Sequence, residues 1–282
     1  MKTSISMYSM NGLVKKEQWT AVDFAHFLIK HEVQGAELLD FYSDGKNDEL
    51  LEAKKWLNEA GIAVSAYDVS NDFVQSDASE RRKEEEKVLR AIETARMLET
   101  SIVRVFCGDV KEGITFDQGR SWIVEGLSRC AEEASQAGIR LAIENHGLLA
   151  GKSEQVRSII EEVQSPFVGS TFDTGNFLLV GGDPLASLEE LMPHIFHVHF
   201  KDFRKKLPEE QLKGFRSLSG EEWIGEVAGD GLVPAQSIVH RLSEARYNGF
   251  LSVEYEGYAE PEVANIETIK RLERWIGEVN HG

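Results

Sequence analysis

The fold prediction depends on a pattern that is clearest in the stretch Ala137-Gly138-Ile139-Arg140-Leu141-Ala142-Ile143-Glu144-Asn145-His146. A glycine closes an amphipathic segment, a short apolar run follows, and the run ends in polar side chains. Glycine in this position is typical of a connection from a helix to a strand. A glycine followed by an apolar run recurs at 34–39, 60–64 and 248–251, so the chain repeats a helix–strand unit.

Eight apolar runs alternate with segments of helical spacing. Two of these segments have apolar faces formed by Val88, Ala91, Ile92, Ala95 and Leu98 and by Ile123, Leu127, Cys130, Ala131 and Ala134. The predicted strands are 3–8, 36–41, 62–67, 101–107, 139–144, 167–172, 195–200 and 250–254. This alternation predicts one α/β domain, residues 1–282, closed as a (β/α)₈ TIM barrel. The alternative, a doubly wound open sheet, is disfavoured because no Gly-x-Gly-x-x-Gly motif follows the first strand.

Composition narrows the classes of function. The chain has 48 acidic and 31 basic side chains and a formal net charge of −17, which disfavours nucleic acid as a partner. Cys107 and Cys130 are too few for a disulfide scaffold, and we expect them to be buried in a protein of a reducing compartment. Residues 1–13 lack the apolar run of a signal peptide or membrane span. We therefore expect a cytoplasmic protein with no membrane partner.

Polar side chains occupy alternate positions at the carboxyl ends of the last four predicted strands. One side carries Ala142, Glu144 and His146 in the fifth strand, His197, His199 and Lys201 in the seventh, and Ser252, Glu254 and Glu256 in the eighth, while Asp173 follows the sixth. Alternate residues of a barrel strand face the lumen, and barrel enzymes keep their chemistry at the carboxyl ends. We therefore expect Glu144, Asp173, His199 and Glu254 to converge.

Three carboxylates and one imidazole in a confined space repel one another unless they bind protons, fixed cations or a metal ion. Three oxygen donors and one nitrogen, with no thiolate nearby, suit one divalent ion: Mn²⁺ first, with Mg²⁺, Co²⁺ or Zn²⁺ as alternatives. Each residue alone also fits a cap, a salt bridge or a core hydrogen bond. The coincidence of four such positions favours the metal site.

Four further polar residues are candidates for binding a substrate near the mouth of the barrel: Arg104, Asn145, His146 and Lys201. Structural alternatives stay open for three of them. Asn145 would then hold the turn after its strand, Lys201 would pair with Glu254 or Glu256, and Arg104 would neutralise the carboxylate cluster. His197 fits a structural role as well as a functional one.

Five motifs carry a family resemblance: 141–146 (LAIENH), 172–176 (FDTGN), 197–202 (HVHFKD), 229–231 (GDG) and 251–254 (LSVE). Together they resemble the xylose isomerase-like TIM-barrel superfamily of sugar and sugar phosphate isomerases and epimerases, which also includes endonuclease IV-type proteins. The resemblance covers essentially the whole chain. It implies that Glu144, Asp173, His199 and Glu254 are metal ligands, and that Glu144 and Glu254 also transfer protons in the ketose epimerase branch.

One position departs from the DNA-repair branch of this superfamily. That branch has a histidine three residues after the strand-six aspartate, where this chain has Asn176. Together with the acidic charge, this favours one metal ion and a small polyol, and it disfavours abasic-site cleavage. Epimerases of the superfamily often contact the sugar from this position, so Asn176 is another candidate for substrate binding.

The resulting hypothesis is a metal-dependent sugar or sugar phosphate isomerase or epimerase that converts a ketose through a cis-enediolate. Glu144 and Glu254 would remove and return the proton on opposite faces. The alternatives are a metal-dependent dehydratase of a keto-polyol, of the keto-inositol or dehydroshikimate type, and a non-catalytic sugar-binding barrel. The polar, glycine-punctuated stretch 203–231 is either a lid or an ordinary surface insertion. Monomers and homo-oligomers both stay open.

Overall fold

The computed structural model describes residues 1–43 and 45–280. The predicted domain, residues 1–282, also includes Asp44, His281 and Gly282, which lie outside the described residues. The strands are β1 (Lys2–Ser6), β2 (Gly35–Leu39), β3 (Ala63–Asp68), β4 (Ile102–Val105), β5 (Arg140–Glu144), β6 (Val168–Asp173), β7 (Ile195–Phe200), β8 (Asp202–Lys205), β9 (Phe215–Arg216), β10 (Glu222–Glu226) and β11 (Phe250–Val253).

Strands β1 to β7 and β11 form a closed parallel barrel in which β11 pairs with both β1 and β7. This confirms the predicted (β/α)₈ TIM barrel. Strands β1, β2 and β4 each end two residues before their predicted ends. Strand β4 was expected at 101–107. It ends early because the backbone N–H of Phe106 donates to the Asn71 side chain rather than to a neighbouring strand.

Helices surround the barrel. They are α1 (Asn11–Glu17), α2 (Ala21–Lys30), α3 (Asp40–Ser43), α4 (Asn47–Glu59), α5 (Ala78–Leu98), α6 (Phe116–Ala137), α7 (Ser153–Val163), α8 (Asn176–Leu179), α9 (Pro184–Leu191), α10 (Ala235–Glu244) and α11 (Pro261–Asn280). The two apolar faces read from the sequence are buried on α5 and α6. Helix α6 ends at Gly138, whose φ of 70° is a left-handed conformation that glycine adopts without strain.

Neither cysteine is in a disulfide, and both are buried, as expected for small apolar residues. Within residues 1–43 and 45–280, no helix combines the length and apolar character needed to cross a bilayer.

The lumen changes from apolar to charged along each of three adjacent strands. Ala66, Ile102 and Ala142 form a small buried cluster. Two residues further along the same strands come the buried ionisable side chains Asp68, Arg104 and Glu144. Because side chains on one face of a strand recur every second residue, the charged layer lies nearer the carboxyl ends than the apolar one. The barrel therefore places its charges at one end of the lumen.

The stretch 203–231, predicted as a lid or a surface insertion, contains a small antiparallel sheet in the order β8-β10-β9. Charged residues and glycines interrupt its short apolar runs, which is why the sequence pattern did not indicate strands there. Asp202 holds the two ends of the stretch together, because its carboxylate accepts the backbone N–H groups of Phe203, Gly229, Gly231 and Val233.

Candidate metal centre

Four strands bring Glu144, Asp173, His199 and Glu254 together, as the alternation of polar residues predicted. Each residue contributes one potential ligand atom, and the four atoms lie within 4.8 Å of one another. His199 Nδ1 is 3.6 Å from Glu144 Oε2, 3.7 Å from Glu254 Oε2 and 4.0 Å from Asp173 Oδ2. All four side chains are buried.

Three of these ligand atoms have no hydrogen-bond partner among the described residues, although they are buried: Glu144 Oε2, Asp173 Oδ2 and His199 Nδ1. Buried polar atoms are almost always paired with protein, water or an ion. Unpaired atoms of the chemical types that bind divalent cations, turned toward a common point, fit a metal ion. The described residues thus fit the predicted cofactor, and the donor set does not identify the ion.

Asp173 is oriented by the turn that follows β6. Its Oδ1 accepts the backbone N–H groups of Gly175 at 2.9 Å and Asn176 at 2.8 Å, which leaves Oδ2 directed to the cluster. The Asn145 side chain donates to the backbone carbonyl of Asp173 at 3.0 Å and accepts from its N–H at 2.8 Å. Asn145 therefore makes the structural contact considered above, holding the ends of β5 and β6 together.

Glu144 is surrounded by donors. Asn176 Nδ2 donates to its Oε1 at 3.0 Å, His146 Nδ1 lies 3.3 Å from the same atom, and Arg104 Nε lies 3.2 Å from Oε2. Burial alone would raise the pKa of this carboxyl, but the charge of Arg104 and the contact with His146 hold it well below its usual range. Glu144 is thus ionised and has little free capacity to accept a further proton.

Lys201 lies among the carboxylates. Its Nζ is 2.6 Å from Glu254 Oε2, 2.7 Å from Glu256 Oε1 and 3.3 Å from Asp173 Oδ2. Burial opposes a charged ammonium, but these carboxylates raise the pKa of Lys201 well above its usual range. Burial raises the pKa of Asp173 to about 6; the charge of Lys201 opposes this shift, and neighbouring carboxylates add to it.

The charges around the cluster do not balance. Four carboxylates, those of Glu144, Asp173, Glu254 and Glu256, face two fixed cations, Lys201 and Arg104. Arg104 also pairs with Asp68 at 3.2 Å, so it cannot serve the cluster alone. Burial opposes a charged His199, but Glu37 and Glu254 raise its pKa well above the usual range, so a proton on this ring offsets part of the negative charge that a divalent ion would neutralise. Lys201 and Arg104 therefore make the neutralising contacts given above as alternatives to substrate binding.

Sequence reasoning missed two buried carboxylates in the lumen, Glu37 and Asp68. Burial alone would raise the pKa of Glu37, but His199 and His197 lower it well below its usual range. The sequence does indicate Glu37 as unusual, because it is the one charged residue in the apolar run of β2. Asp68 lies one residue beyond the predicted end of β3.

A cavity of about 260 Å³ opens beside the four ligand candidates. It is lined by Tyr8, Leu39, Phe41, Ser70, Arg104, Phe106, Glu144, His146, Glu254 and Glu256. The His146 side chain is 42% exposed, and its ring lies 4.3 Å from that of Phe106. A small molecule in this cavity would contact two ligand candidates, one imidazole and an apolar wall.

A family model described as the xylose isomerase-like TIM barrel matches residues 26–275. The chain belongs to this family. Among curated relatives, inosose dehydratase from Lacticaseibacillus casei is 30% identical over 137 residues, which cover 48% of this chain and 46% of the relative. Inosose dehydratase from Mesomycoplasma hyopneumoniae strain 232 is 33% identical over 147 residues, or 51% of this chain and 48% of the relative. The chain thus spans about half the length of the curated relatives it matches.

Solved structures share the fold over nearly the whole chain. A D-tagatose 3-epimerase-like protein has a TM-score of 0.80 at 19% identity, covering 100% of this chain and 99% of its own. The probable 3-DHS dehydratase AsbF of Bacillus anthracis has a TM-score of 0.77 at 19% identity, covering 97% and 99%. An IolI protein with a bound zinc atom has a TM-score of 0.75 at 18% identity, covering 99% of each chain. At these identities the likeness shows the fold alone.

Proposed function

We propose that this protein is a metal-dependent dehydratase of a neutral cyclic keto-polyol of the keto-inositol type. The observation that carries the metal-dependent part is the convergence of four ligand atoms, three of them buried without a hydrogen bond among the described residues. The inosose dehydratases among the relatives favour dehydration over the isomerase or epimerase reading of the motifs. The match covers only about half of each relative. Dehydration is therefore tested directly, by measuring turnover.

The charge of the cavity supports a neutral substrate. Among the described residues that line it, the fixed cation is Arg104, and its guanidinium already contacts Asp68 and Glu144. A phosphate or carboxylate on the substrate would enter beside Glu254 and Glu256, where the described lining residues offer it no Lys or Arg free of other partners. This favours a keto-inositol over a sugar phosphate or dehydroshikimate.

The apolar wall supports a ring-shaped substrate. Tyr8, Leu39, Phe41 and Phe106 line the cavity and offer a surface on which the C–H groups of a cyclic polyol can pack. Burial and, after it, the charges of Glu256 and Glu254 raise the pKa of Tyr8 to about 12. Its hydroxyl therefore stays protonated and can donate a hydrogen bond to a substrate oxygen.

Dehydration removes a proton from the carbon beside the carbonyl and a hydroxyl from the next carbon; a C=C bond forms and water leaves. A divalent ion at Glu144, Asp173, His199 and Glu254 would stabilise the negative charge that develops on the carbonyl oxygen. His146, which lines the cavity, is placed to accept the carbon-bound proton. Once protonated in this step, His146 can return the proton to the hydroxyl as it leaves, which balances the loss of water, while Glu254 stays paired with Lys201 at 2.6 Å.

Epimerisation is the second candidate, and the fold it shares with the D-tagatose 3-epimerase-like protein keeps it open. It requires a base on each face of the substrate, which the resemblance assigns to Glu144 and Glu254. The three donors around Glu144 favour a ligand role over a base role for that residue. The proton-transfer pair of Glu144 and Glu254 remains a prediction.

The test is turnover by the metal-loaded protein. We expect it to convert an inosose, with Mn²⁺, Mg²⁺, Co²⁺ or Zn²⁺ supplied in turn, to a product with new ultraviolet absorbance from conjugation and with one water lost by mass spectrometry. His146→Gln should lower kcat about 10²- to 10⁴-fold, because a general base is removed. His240→Gln, on the outer helix α10, is the matched control and should leave kcat unchanged.

Product NMR distinguishes the alternatives. A stereoisomer with no loss of water would replace the dehydratase proposal with epimerisation. Binding of a polyol with neither water loss nor exchange of a carbon-bound proton in deuterated water would support the sugar-binding barrel. Faster turnover of a ketose phosphate than of the inosose would contradict the neutral-substrate argument.

A further inference from the structure

We propose that Glu37 is a positioning residue for the metal centre: through its contact with Nε2 of His199, it turns the other ring nitrogen, Nδ1, to the metal. This inference rests on the proposed metal site. Glu37 lies on β2, on the other side of the lumen from β6 and β7, and does not belong to the four ligand candidates. It acts through His199 and not on the substrate.

The contact between the two side chains is short and fully buried. Glu37 Oε1 lies 2.8 Å from His199 Nε2, and both side chains have no exposed surface. The opposite ring atom, His199 Nδ1, has no hydrogen-bond partner among the described residues and faces Glu144, Asp173 and Glu254 at 3.6–4.0 Å. One ring nitrogen is therefore held while the other is left for a ligand bond.

The chemistry of a carboxylate decides which nitrogen carries the proton. An ionised carboxylate only accepts hydrogen bonds, so the atom it contacts must donate. In its neutral form, which a metal ligand must adopt, His199 then carries its proton on Nε2, and the lone pair of Nδ1 is directed to the cluster. A metal ion binds histidine through such a lone pair, and a carboxylate behind the ring fixes its tautomer and orientation.

Glu37 is itself held in place, which a positioning role requires. Ser252 Oγ donates to Glu37 Oε2, and His197 Nε2 lies 3.2 Å from Oε1. The carboxylate therefore has donors on both oxygens, and its orientation does not depend on His199 alone. His197 also has a structural role here: it contacts Glu37, and its ring packs edge-to-face against that of His199 with the centroids 5.3 Å apart.

The first test is metal affinity, measured by isothermal titration of the metal-free protein with Mn²⁺. Glu37→Gln keeps the shape of the side chain but presents an amide that can donate to a ring nitrogen. We expect Mn²⁺ affinity to fall about 10- to 100-fold, as for other carboxylates behind a metal-bound histidine. In a His199→Ala background, the same substitution should have no further effect, because the residue it acts through is absent.

His197→Asn is the matched control, since it removes the other histidine from the same carboxylate oxygen. We expect it to change Mn²⁺ affinity less than about threefold. An equal loss in His197→Asn and Glu37→Gln would assign the effect to lumen packing and overturn the proposal. Unchanged affinity in Glu37→Gln would overturn it as well, whereas no binding by the wild type would contradict the metal site itself.

The second test does not depend on whether Glu37→Gln folds. Long-range ¹H–¹⁵N spectra of the wild-type protein without metal report which nitrogen of a histidine ring is protonated. We expect His199, assigned by its absence from the spectrum of His199→Ala, to carry a proton at Nε2 whether or not Nδ1 is also protonated. A proton on Nδ1 with Nε2 free would overturn the proposal, whatever the metal affinities.

Discussion

Two groups of buried ionisable side chains lie one behind the other in the lumen, and His199 joins them. The upper group, Glu144, Asp173 and Glu254, keeps two carboxylate oxygens that make no hydrogen bond among the described residues, although Arg104 and Lys201 lie 3.2 and 3.3 Å from them. The lower group consists of Glu37 with its donors His197 and Ser252, and both oxygens of this carboxylate are paired. Under the proposals above, the same residue type has two roles: the carboxylates of the upper group would hold a cation, and the paired carboxylate of Glu37 would support one of its ligands.

The largest expected effect is the loss of activity in Asp173→Asn, which tests whether the upper group binds a metal ion or only supports the fold. Asp173→Asn should lower kcat/KM of the metal-loaded protein at least about 10³-fold, because a metal ion contributes several kcal/mol of transition-state stabilisation. The thermal stability of the metal-free protein should stay the same or rise, since the substitution removes a buried charge near Glu144 and Glu254. Activity assays and thermal unfolding of the same preparation measure both effects.

Asp183→Asn provides the control for this substitution. Asp183 caps α9 on the surface, where its carboxylate accepts the N–H of Ala186 at 2.8 Å. It should lose a little stability and no activity. Retained activity in Asp173→Asn, or a large loss of stability in the metal-free protein, would show that the upper group is a structural network like the lower one.

The second effect is the stabilisation of the folded protein by metal. An ion that binds only the folded state at a concentration 100 times its Kd raises the free energy of unfolding by about 2.7 kcal/mol. Urea unfolding with and without Mn²⁺ measures this as a shift in midpoint at constant slope. Asp173→Asn should show no such shift. An equal shift in both proteins would place the ion outside the upper group.

The fold and the upper group follow from local patterns, which is why sequence reasoning reached them. A glycine before each of several apolar runs indicates helix–strand units, and alternation within a strand decides which residues share the lumen. Glu144, His199 and Glu254 are each the middle member of such a pattern at the carboxyl end of a strand. Barrel closure then brings them together without any further information.

Contacts across the lumen could not be predicted in this way. Glu37 and His199 are 162 residues apart, and their contact depends on the width of the barrel and the reach of both side chains. For Lys201 the sequence analysis named Glu254 and Glu256 as possible partners, and the structure adds Asp173, which alternation alone did not indicate. The sheet of β8, β9 and β10 was missed for another reason, since its strands are short and interrupted by charges and glycines.

The smallest expected effect tests whether the lower group is structural. Ser252→Ala removes the hydroxyl that donates to Glu37 Oε2 and leaves a buried, ionised oxygen without that donor. Hydrogen bonds to charged groups contribute about 1.5–3 kcal/mol, so urea unfolding should show a loss of this size.

Ser170→Ala is the matched control, because that buried serine donates to the neutral carbonyl of Ile143 at 3.4 Å. This substitution should lower the free energy of unfolding by about 0.5–1.5 kcal/mol. Mn²⁺ affinity should change little in either variant, since His197 and His199 still hold Glu37. A loss of affinity in Ser252→Ala without a loss of stability would mean that the lower group tunes the metal and does not support the fold.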